Sequence, residues 1–380
     1  MNFQVCSIIF LDAPVGTGFS YSSSLLGWNT SDTKSARQIY IFLRKWLADY
    51  PEFNSNPLYL GGDSYCGIPI PIIAKEIADG IEAQHKLLIN LKGYILGNPM
   101  TDKYFDDNSN ILFPHRMALI TDELYELTKR SCNGEYVNVD PRNVECVKNL
   151  GTALEWILRV RRDQILEPNC ISDPNNYNIV LPELNGIQGD RTSLGKELPA
   201  LLFPESECRP FKYLSLVYWA NDDSVRNALH IKKGSINTWV RCKFEKLPLE
   251  RDVQSSLIYH QNLSARGYRA LIYRLISLTC PLYAKGLRSL PWIKSLDYSI
   301  IVDWRPWFVS DQTAEFTRTY SNHITFATVK AGGHTAPEYK PEKCLAMLAR
   351  WLSYKVTILY SGELRQNLLR LASTLLLMSS

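Results

Sequence analysis

Apolar residues occur along the chain in short uninterrupted runs that predict buried strands. Such runs are typical of strands covered on both faces of a parallel sheet. The first three end in segments that contain glycine, as strands do when they lead into turns. The predicted strands lie at residues 5–11, 57–60, 91–96, 268–273 and 324–329.

Helical spacing of apolar residues separates these strands. Between residues 31 and 50, Ile39, Leu43 and Leu47 fall on one helix face, and Ser31 or Asp32 can cap its start. Further helices are predicted at residues 68–78, 121–130, 154–165, 224–229 and 341–352. The alternation of strand and helix predicts an α/β fold with a mostly parallel, doubly wound sheet.

Residues 104–215 lose this regular pattern and are rich in Asn, Asp, Pro and Cys. We interpret them as an inserted helical lid. The predicted organisation is therefore a core formed by residues 1–103 and 216–353, a lid at 104–215 and an atypical C-terminal tail at 354–380. The chain has 380 residues, a length that one large α/β core with an insertion can accommodate.

Charge and hydropathy exclude several classes of partner. The 42 basic and 38 acidic residues are spread along the chain, without the long run of one sign that marks a nucleic-acid-binding arm. The three arginines at 159, 161 and 162 are interpreted as a solvated helix face. No stretch reaches the roughly 18 apolar residues of a membrane helix. We predict no nucleic-acid partner and no membrane span.

The nine cysteines include no C-x-x-C pair, so the sequence predicts neither a metal site nor a bound cofactor. Several lie in the polar middle of the chain, as disulfides of an oxidising compartment would. Asn29 and Asn262 begin glycosylation sequons, which agree with a secretory route. Residues 1–10 carry no basic leader, so no signal peptide is expected within this chain.

Ser64 is the strongest candidate for a nucleophile. It lies in residues 61–67 (GGDSYCG), between a predicted strand and a predicted helix. A serine flanked by glycines on such a turn is forced into a tight bend that lifts its hydroxyl above the sheet. An ordinary glycine turn is the alternative interpretation, and Cys66 occupies a position where the G-x-S-x-G pattern has another small residue. The strand before it and the helix after it favour the nucleophile.

A serine hydroxyl needs a histidine to accept its proton and a carboxylate to orient that histidine. His334 lies in residues 331–337 (AGGHTAP), a glycine-rich loop between the last predicted strand and the last helix. This is where α/β-hydrolases place their base. The other five histidines are predicted to be surface or packed side chains: His85, His115, His230, His260 and His323.

The triad acid is not assigned. It is expected after the strand at 268–273, but the following residues 274–281 (RLISLTCP) contain no acid. Asp297 and Asp303 are the nearest acids downstream. We expect Asp297 in a turn at a helix end and Asp303 beside Trp304, positions from which neither would act without a rearranged loop.

Six segments together resemble plant serine carboxypeptidase-like proteins, over about residues 6–353. The resemblance is closest to the subgroup that includes glucose-ester-dependent acyltransferases, in which an aspartate precedes the nucleophile as Asp63 does here. The segments are residues 8–21 (IIFLDAPVGTGFSY), 58–67 (LYLGGDSYCG), 91–99 (LKGYILGNP), 218–230 (YWANDDSVRNALH), 303–307 (DWRPW) and 329–341 (VKAGGHTAPEYKP).

The resemblance implies an α/β-hydrolase fold with Ser64 as nucleophile, His334 as base, and Asp63 and Tyr65 at the substrate. The implied substrates are a peptide C-terminus, or a glucose-ester acyl donor with a small-molecule acceptor. The implied location is secreted or vacuolar. Two disulfides in the lid are implied, between Cys132 and Cys146 and between Cys170 and Cys208.

The chain departs from the family pattern at four places. The family's Gly-Gly-Pro-Gly-Cys loop, which supplies an oxyanion N–H, would precede residue 1, and losing such a donor costs about 100- to 1000-fold in turnover. Cys242 matches the partner of that loop's cysteine. The Ser-Gly-Asp-x-Asp loop that carries the triad acid is replaced after Tyr273. Cys66 replaces the usual serine or alanine, and residues 354–380 extend beyond the point at which the family normally ends.

Three functions therefore compete. The first is acyl transfer through an ester on Ser64. The second is a catalytically inactive remnant of the family, or an incomplete gene product, because removing a triad acid costs about 10,000-fold. The third is a cysteine-dependent enzyme that uses Cys66, although a cysteine more simply fills a small-residue position there.

Overall fold

The structure is a computed structural model of the 380-residue chain. It forms two compact units, one of Met1–Leu11, Ser31–Ile165 and Arg251–Ser380 and one of Asp12–Thr30 and Leu166–Glu250. The residues that the structure describes are 6–85, 88–160, 167, 213–241, 247–276, 289–353 and 374–379.

An eight-stranded sheet forms the centre of the first unit, in the order β1-β10-β3-β4-β6-β9-β8-β7. The five strands from β10 to β9 run parallel to their neighbours, whereas β8 and β7 form an antiparallel edge. The strands are β1 (Ser7–Asp12), β3 (Leu58–Asp63), β4 (Leu91–Gly97), β6 (Arg269–Ile276), β7 (Ile300–Val309), β8 (Gln312–Tyr320), β9 (Ile324–Lys330) and β10 (Thr374–Ser379). Two short strands, β2 (Thr30–Ser31) and β5 (Leu249–Glu250), lie outside this sheet.

The mostly parallel sheet confirms the predicted fold class, and each of the five predicted strands is present with its ends shifted by up to three residues. Three strands of the sheet were not predicted: β7, β8 and β10. The pairing of β7 with β8 shifts register at three points, which breaks the alternation of side chains that identifies a strand in sequence.

Helices connect most of the strands of the sheet along the chain. Helix α1 begins after Ser31, whose hydroxyl accepts from the Lys34 N–H, as predicted for a cap. The helices of the first unit are α1 (Asp32–Asp49), α2 (Pro69–Glu82), α3 (Lys103–Arg116), α4 (Asp122–Ser131), α5 (Val144–Ile157), α8 (Leu257–Ala265), α9 (Ser289–Ser295), α10 (Ala336–Tyr339) and α11 (Pro341–Leu352). The second unit contains α6 (Leu214–Asn221) and α7 (Asp223–Ala228).

One helix prediction was wrong, and five helices were not predicted: α3, α6, α8, α9 and α10. The helix predicted at 154–165 is α5, which begins ten residues earlier and ends at Ile157, because Asn143 caps its start by accepting from the Cys146 N–H. Helix α3 was not predicted at all. Its residues are polar and include Pro114, so the apolar stripe that identifies a helix in sequence is weak.

Apolar layers cover both faces of the sheet. On one face Tyr59, Leu271 and Val329 pack against Trp351 and Met347 of α11. On the other face Tyr94 of β4 donates or accepts a 2.7 Å hydrogen bond with His260 of α8. Because successive strand residues point to opposite faces, helices on both faces account for the continuous apolar runs in these strands.

The inserted region contains one disulfide among the described residues. Cys132, at the end of α4, is bonded to Cys146 in α5, with the two Cα atoms 4.8 Å apart. This is one of the two pairs that the resemblance implied. Cys170, Cys208 and Cys242 lie outside the described residues. Ile111, Leu124 and Ala153 form a separate small core between α3, α4 and α5.

Within the second unit, Asp12 organises the loop that follows β1. Its carboxylate accepts from the Phe19 N–H at 2.9 Å, and its carbonyl accepts from the Ser20 hydroxyl at 2.6 Å. Asn221, at the end of α6, exchanges two hydrogen bonds of 2.8 Å with the backbone of Trp239. In the described ranges of the chain, no helix is both long and apolar enough to cross a membrane.

Candidate active site

Ser64 occupies the turn that joins β3 to α2. Its φ of +56° lies in the left-handed region, which is strained for a residue with a side chain. The strain is held by neighbouring contacts: the Met100 N–H donates to the Ser64 carbonyl at 2.7 Å, and a Cβ on Gly67 would lie 2.0 Å from the Met100 carbonyl oxygen. A serine in such a strand-to-helix turn is the geometry that presents a nucleophile.

His334 lies four residues after β9, in the loop that leads to α10. Its carbonyl accepts a 2.7 Å hydrogen bond from the Asn98 side-chain amide, at the end of β4. Strands β3 and β9 are separated in the sheet by β4 and β6, and the four run parallel. The Ser64 turn and the His334 loop therefore both lie at the carboxyl ends of the parallel strands. Both bond to the chain segment Gly97–Met100.

Asp63 ends β3 and is aligned across the sheet with Gly97 and Tyr273. The Tyr273 hydroxyl reaches over Gly97 and donates to Asp63 Oδ1 at 2.8 Å. Loss of solvent raises the pKa of Asp63 to about 7, although the Tyr273 hydrogen bond lowers it in part. Asp63 therefore changes near neutral pH from a group that can donate a hydrogen bond to one that only accepts.

The side chain of Tyr65 is buried and makes its contacts within the protein. Its hydroxyl donates to Asp32, and the Arg251 guanidinium lies 4.0 Å from the centre of its ring. The backbone N–H of Tyr65 directly follows Ser64 in the chain. In α/β-hydrolases, the N–H of the residue after the nucleophile donates to the oxyanion.

Cys66 is also buried in this turn. Burial, together with the neighbouring Asp63, raises the pKa of the Cys66 thiol to about 12. Because the thiolate is the reactive form of cysteine, this environment disfavours Cys66 as a nucleophile. Its small side chain packs closely against Gly62, where an added Cβ would lie 2.7 Å from the sulfur.

Asp303 and Asp297, the two acids considered for the triad, are both exposed. Asp303 lies in the antiparallel edge strand β7, where it pairs with Arg318 at 2.8 Å and is 79% exposed. Asp297 is exposed in the turn after α9, as expected. Of residues 274–281, in which the acid was expected, 277–281 lie outside the described residues. Across the described ranges, no three metal-binding side chains cluster in a way that could hold an ion.

Four residues around the site were not singled out in the sequence: Asn98, Asp106, Tyr273 and Arg274. Arg274 is fully buried, donates to the Pro99 carbonyl at 2.8 Å and lies 3.9 Å from the Asp106 carboxylate. An arginine that directly follows the apolar run at 268–273 was the available signal for a buried ion pair, because buried charges require partners. The partner itself, about 170 residues away in sequence, has no such signal.

The two sequons differ in their surroundings. Asn29 is exposed after a short 3-10 helix, Leu26–Trp28. Asn262 lies within α8 and is only partly exposed, and the Ser264 hydroxyl of its sequon is bonded to Tyr298 at 2.6 Å. Asn29 is therefore the better presented acceptor, and glycosylation at either position stays a prediction.

The raised pKa of Asp63 predicts a pH-dependent stability. In the unfolded chain the group titrates near 4, so between pH 4 and 7 the folded protein binds the additional proton. The contribution of Asp63 to the free energy of unfolding should therefore fall as pH rises through this window, by about 2 to 3 kcal/mol after allowance for solvent screening. Burial lowers the pKa of His260 to about 3, so this histidine contributes in the opposite direction. The measurement is therefore the difference between the wild type and Asp63→Asn in urea unfolding at pH 5 and at pH 7.5.

Asp303→Asn is the control for this experiment. The hydrogen bond from the Trp304 N–H and the Arg318 ion pair lower the pKa of Asp303, so its stabilisation is lost only at more acidic pH. This variant should leave the change between pH 5 and pH 7.5 as in the wild type. An unchanged slope in Asp63→Asn would show that Asp63 does not carry the excess proton.

The comparisons with known proteins agree with this geometry. The serine carboxypeptidase family model matches residues 3–354. Serine carboxypeptidase-like 7 of Arabidopsis thaliana is 46% identical over 350 residues, which are 92% of this chain and 72% of that protein. Serine carboxypeptidase-like 12 of the same plant is 45% identical and covers 92% of this chain and 73% of that protein.

A solved structure shows the same fold. The crystal structure of Kex1(Δ)p, a prohormone-processing carboxypeptidase from Saccharomyces cerevisiae, superposes with a TM-score of 0.64 at 18% identity, over 92% of this chain and 74% of that chain. The fold is thus the α/β-hydrolase fold of serine carboxypeptidases. With the family model matching nearly its whole length, the chain belongs to the serine carboxypeptidase family.

Proposed function

We propose that this chain transfers acyl groups through a covalent ester on Ser64, with His334 as the general base. The observation that carries the proposal is the strained Ser64 turn at the carboxyl end of β3. The His334 loop follows the carboxyl end of β9, on the same side of the parallel strands. Strained backbone conformations concentrate at functional sites because the surrounding structure must hold them in place.

The chemistry takes place in two halves. In the first, Ser64 Oγ bonds to the acyl carbon as His334 takes its proton, and the Tyr65 N–H donates to the developing oxyanion. His334 then gives the proton to the leaving amine or sugar hydroxyl as that bond breaks. In the second half, water or an alcohol loses a proton to His334 and attacks the ester, and the proton returns to Ser64.

The proposed substrate is a peptide C-terminus, or a glucose ester whose acyl group passes to a small-molecule alcohol. Family membership supports the first, since the relatives are named as carboxypeptidase-like. Asp63 supports a polar contact to either, because its carboxyl can donate to a substrate carboxylate when protonated and accept from a hydroxyl when ionised. The acceptor alone separates hydrolysis from transfer.

The proposed setting is secreted or vacuolar. The Cys132–Cys146 disulfide supports it, because disulfides persist in oxidising compartments. The domain boundaries at 103, 215 and 353 stay part of the proposal, with residues 104–215 as the lid that shapes the substrate site.

A fluorophosphonate probe tests the nucleophile directly, because it reacts covalently with activated serines. The folded protein should be labelled at one site, and mass spectrometry of the peptide that contains residues 58–67 should place the adduct on Ser64. Protein unfolded in urea is the control and should remain unlabelled. A folded protein that is not labelled would overturn the proposal in favour of a catalytically inactive member of the family.

A further inference from the structure

The turn Gly97–Met100, which begins at the last residue of β4, bonds to the backbone of both proposed reacting residues, Ser64 and His334. The Met100 N–H donates to the Ser64 carbonyl at 2.7 Å, and the Asn98 amide donates to the His334 carbonyl at 2.7 Å. The Asn98 backbone N–H also donates to the Tyr273 carbonyl at 2.9 Å. One short turn therefore bonds to the nucleophile turn, to the loop of the base and to the strand beside them.

Asn98 is suited to this position for two reasons. It is 3% exposed, so its side-chain amide must find partners within the protein, and one of them is the His334 carbonyl. Its φ of +43° lies in the left-handed region, which asparagine tolerates better than most residues with a side chain. The backbone direction and the donor are thus supplied by the same residue.

Gly97 leaves the space in which Asp63 and Tyr273 meet. A Cβ at Gly97 would lie 1.6 Å from Asp63 Oδ1 and 2.4 Å from the Tyr273 hydroxyl oxygen. These distances are far below contact distance, so a side chain here would displace the hydrogen bond between them. Glycine is required at position 97 because Tyr273 approaches Asp63 across it, and Asp63 is the residue that precedes Ser64.

We propose that Gly97–Met100 is the positioning element of the site, in which Asn98 sets the place of His334 relative to Ser64. The inference rests on the proposed function for its meaning in catalysis. Asn98 is a positioning residue, since its contact is with the His334 backbone and not with substrate. The backbone of a histidine determines where its ring can reach, so a loop released from Asn98 would place the ring less often beside Ser64.

The test is Asn98→Gly, which keeps the left-handed backbone and removes the amide. The matched control is Asn90→Gly, at the other end of β4, where the side-chain amide donates to the Ser55 carbonyl at 2.9 Å on the protein surface. Asn98→Gly should lower the maximal rate of fluorophosphonate labelling about 10- to 100-fold with little change in probe affinity. Asn90→Gly should label at the wild-type rate.

A second readout does not depend on reactivity. The imidazole resonances of His334, assigned by NMR through His334→Asn, should shift in Asn98→Gly and stay in place in Asn90→Gly. Unchanged His334 resonances in a folded Asn98→Gly would overturn the inference even if Ser64 is labelled. If the wild type is not labelled, the proposed function fails, and the resonances still decide the positioning role.

A third measurement applies if Asn98→Gly does not fold. In the wild-type protein, the Asn98 side-chain amide protons should exchange slowly with solvent and show a nuclear Overhauser effect to His334. Rapid exchange of these protons, without that effect, would overturn the inference.

Discussion

Replacing Ser64 with alanine is expected to abolish covalent labelling by a fluorophosphonate, and replacing His334 with asparagine is expected to slow it by about 100- to 10,000-fold. Alanine at 64 removes the oxygen that forms the bond, so no residual rate remains at that site. Asparagine at 334 removes the group that accepts the proton, while the Ser64 hydroxyl and the turn that presents it are kept. The measurement is the second-order rate constant of labelling.

Two control variants make this result specific. His323→Asn changes an exposed histidine just before β9, the strand whose other end leads to His334, and should label at the wild-type rate. Cys66→Ala separates a serine from a cysteine nucleophile and should also keep labelling. Labelling that survives Ser64→Ala would place the nucleophile elsewhere, and a rate unaffected by His334→Asn would remove that histidine from the mechanism.

The largest effect on stability is expected from Asp106→Asn, which should lower the free energy of unfolding by about 3 to 5 kcal/mol. Arg274 is fully buried, and the Asp106 carboxylate, 4% exposed, lies 3.9 Å from its guanidinium. The other carboxylate oxygen accepts from the Thr101 N–H at 2.8 Å. Asparagine keeps the shape of this side chain but removes the negative charge beside the buried arginine.

Urea unfolding at neutral pH measures this loss, and Asp303→Asn is the matched control. Asp303 also pairs with an arginine, at 2.8 Å, but its side chain is 79% exposed, so its loss should be much smaller. The double variant Asp106→Leu with Arg274→Met should cost less than the sum of its two single changes, because both charges leave together. An Asp106→Asn variant as stable as Asp303→Asn would show that the pair does not stabilise the fold.

Strand β10 pairs with β3 in the sheet, and the sequence did not predict this strand. Thr374 aligns with Leu58 and Met378 with Gly62, in parallel, so β10 ends near the residue that precedes Asp63. The family model ends at residue 354, so this strand comes from a part of the chain that the model does not match. Residues 374–379 (TLLLMS) are nonetheless apolar enough for an interior strand.

The sequence by itself determined the elements whose signal is local. The apolar stripe of α11 predicted both of its ends, the serine at 31 predicted the start of α1, and the order of strand, serine turn and helix predicted the Ser64 turn. These signals depend on residues within one or two turns of each other, where periodicity and capping act. The position of His334 was predicted for a similar reason, because the sequence itself shows a glycine-rich loop between a predicted strand and a predicted helix.

The tertiary structure alone decided which distant residues meet. Asp106 pairs with Arg274, Asn98 bonds to His334 and Tyr273 bonds to Asp63 across sequence separations of 168, 236 and 210 residues. No local pattern encodes these partners, because each pair is brought together by the order of the strands and by the packing of the loops and helices that connect them. The sequence therefore predicted the candidate nucleophile and base, whereas the contacts that hold them in place followed only from the assembled fold.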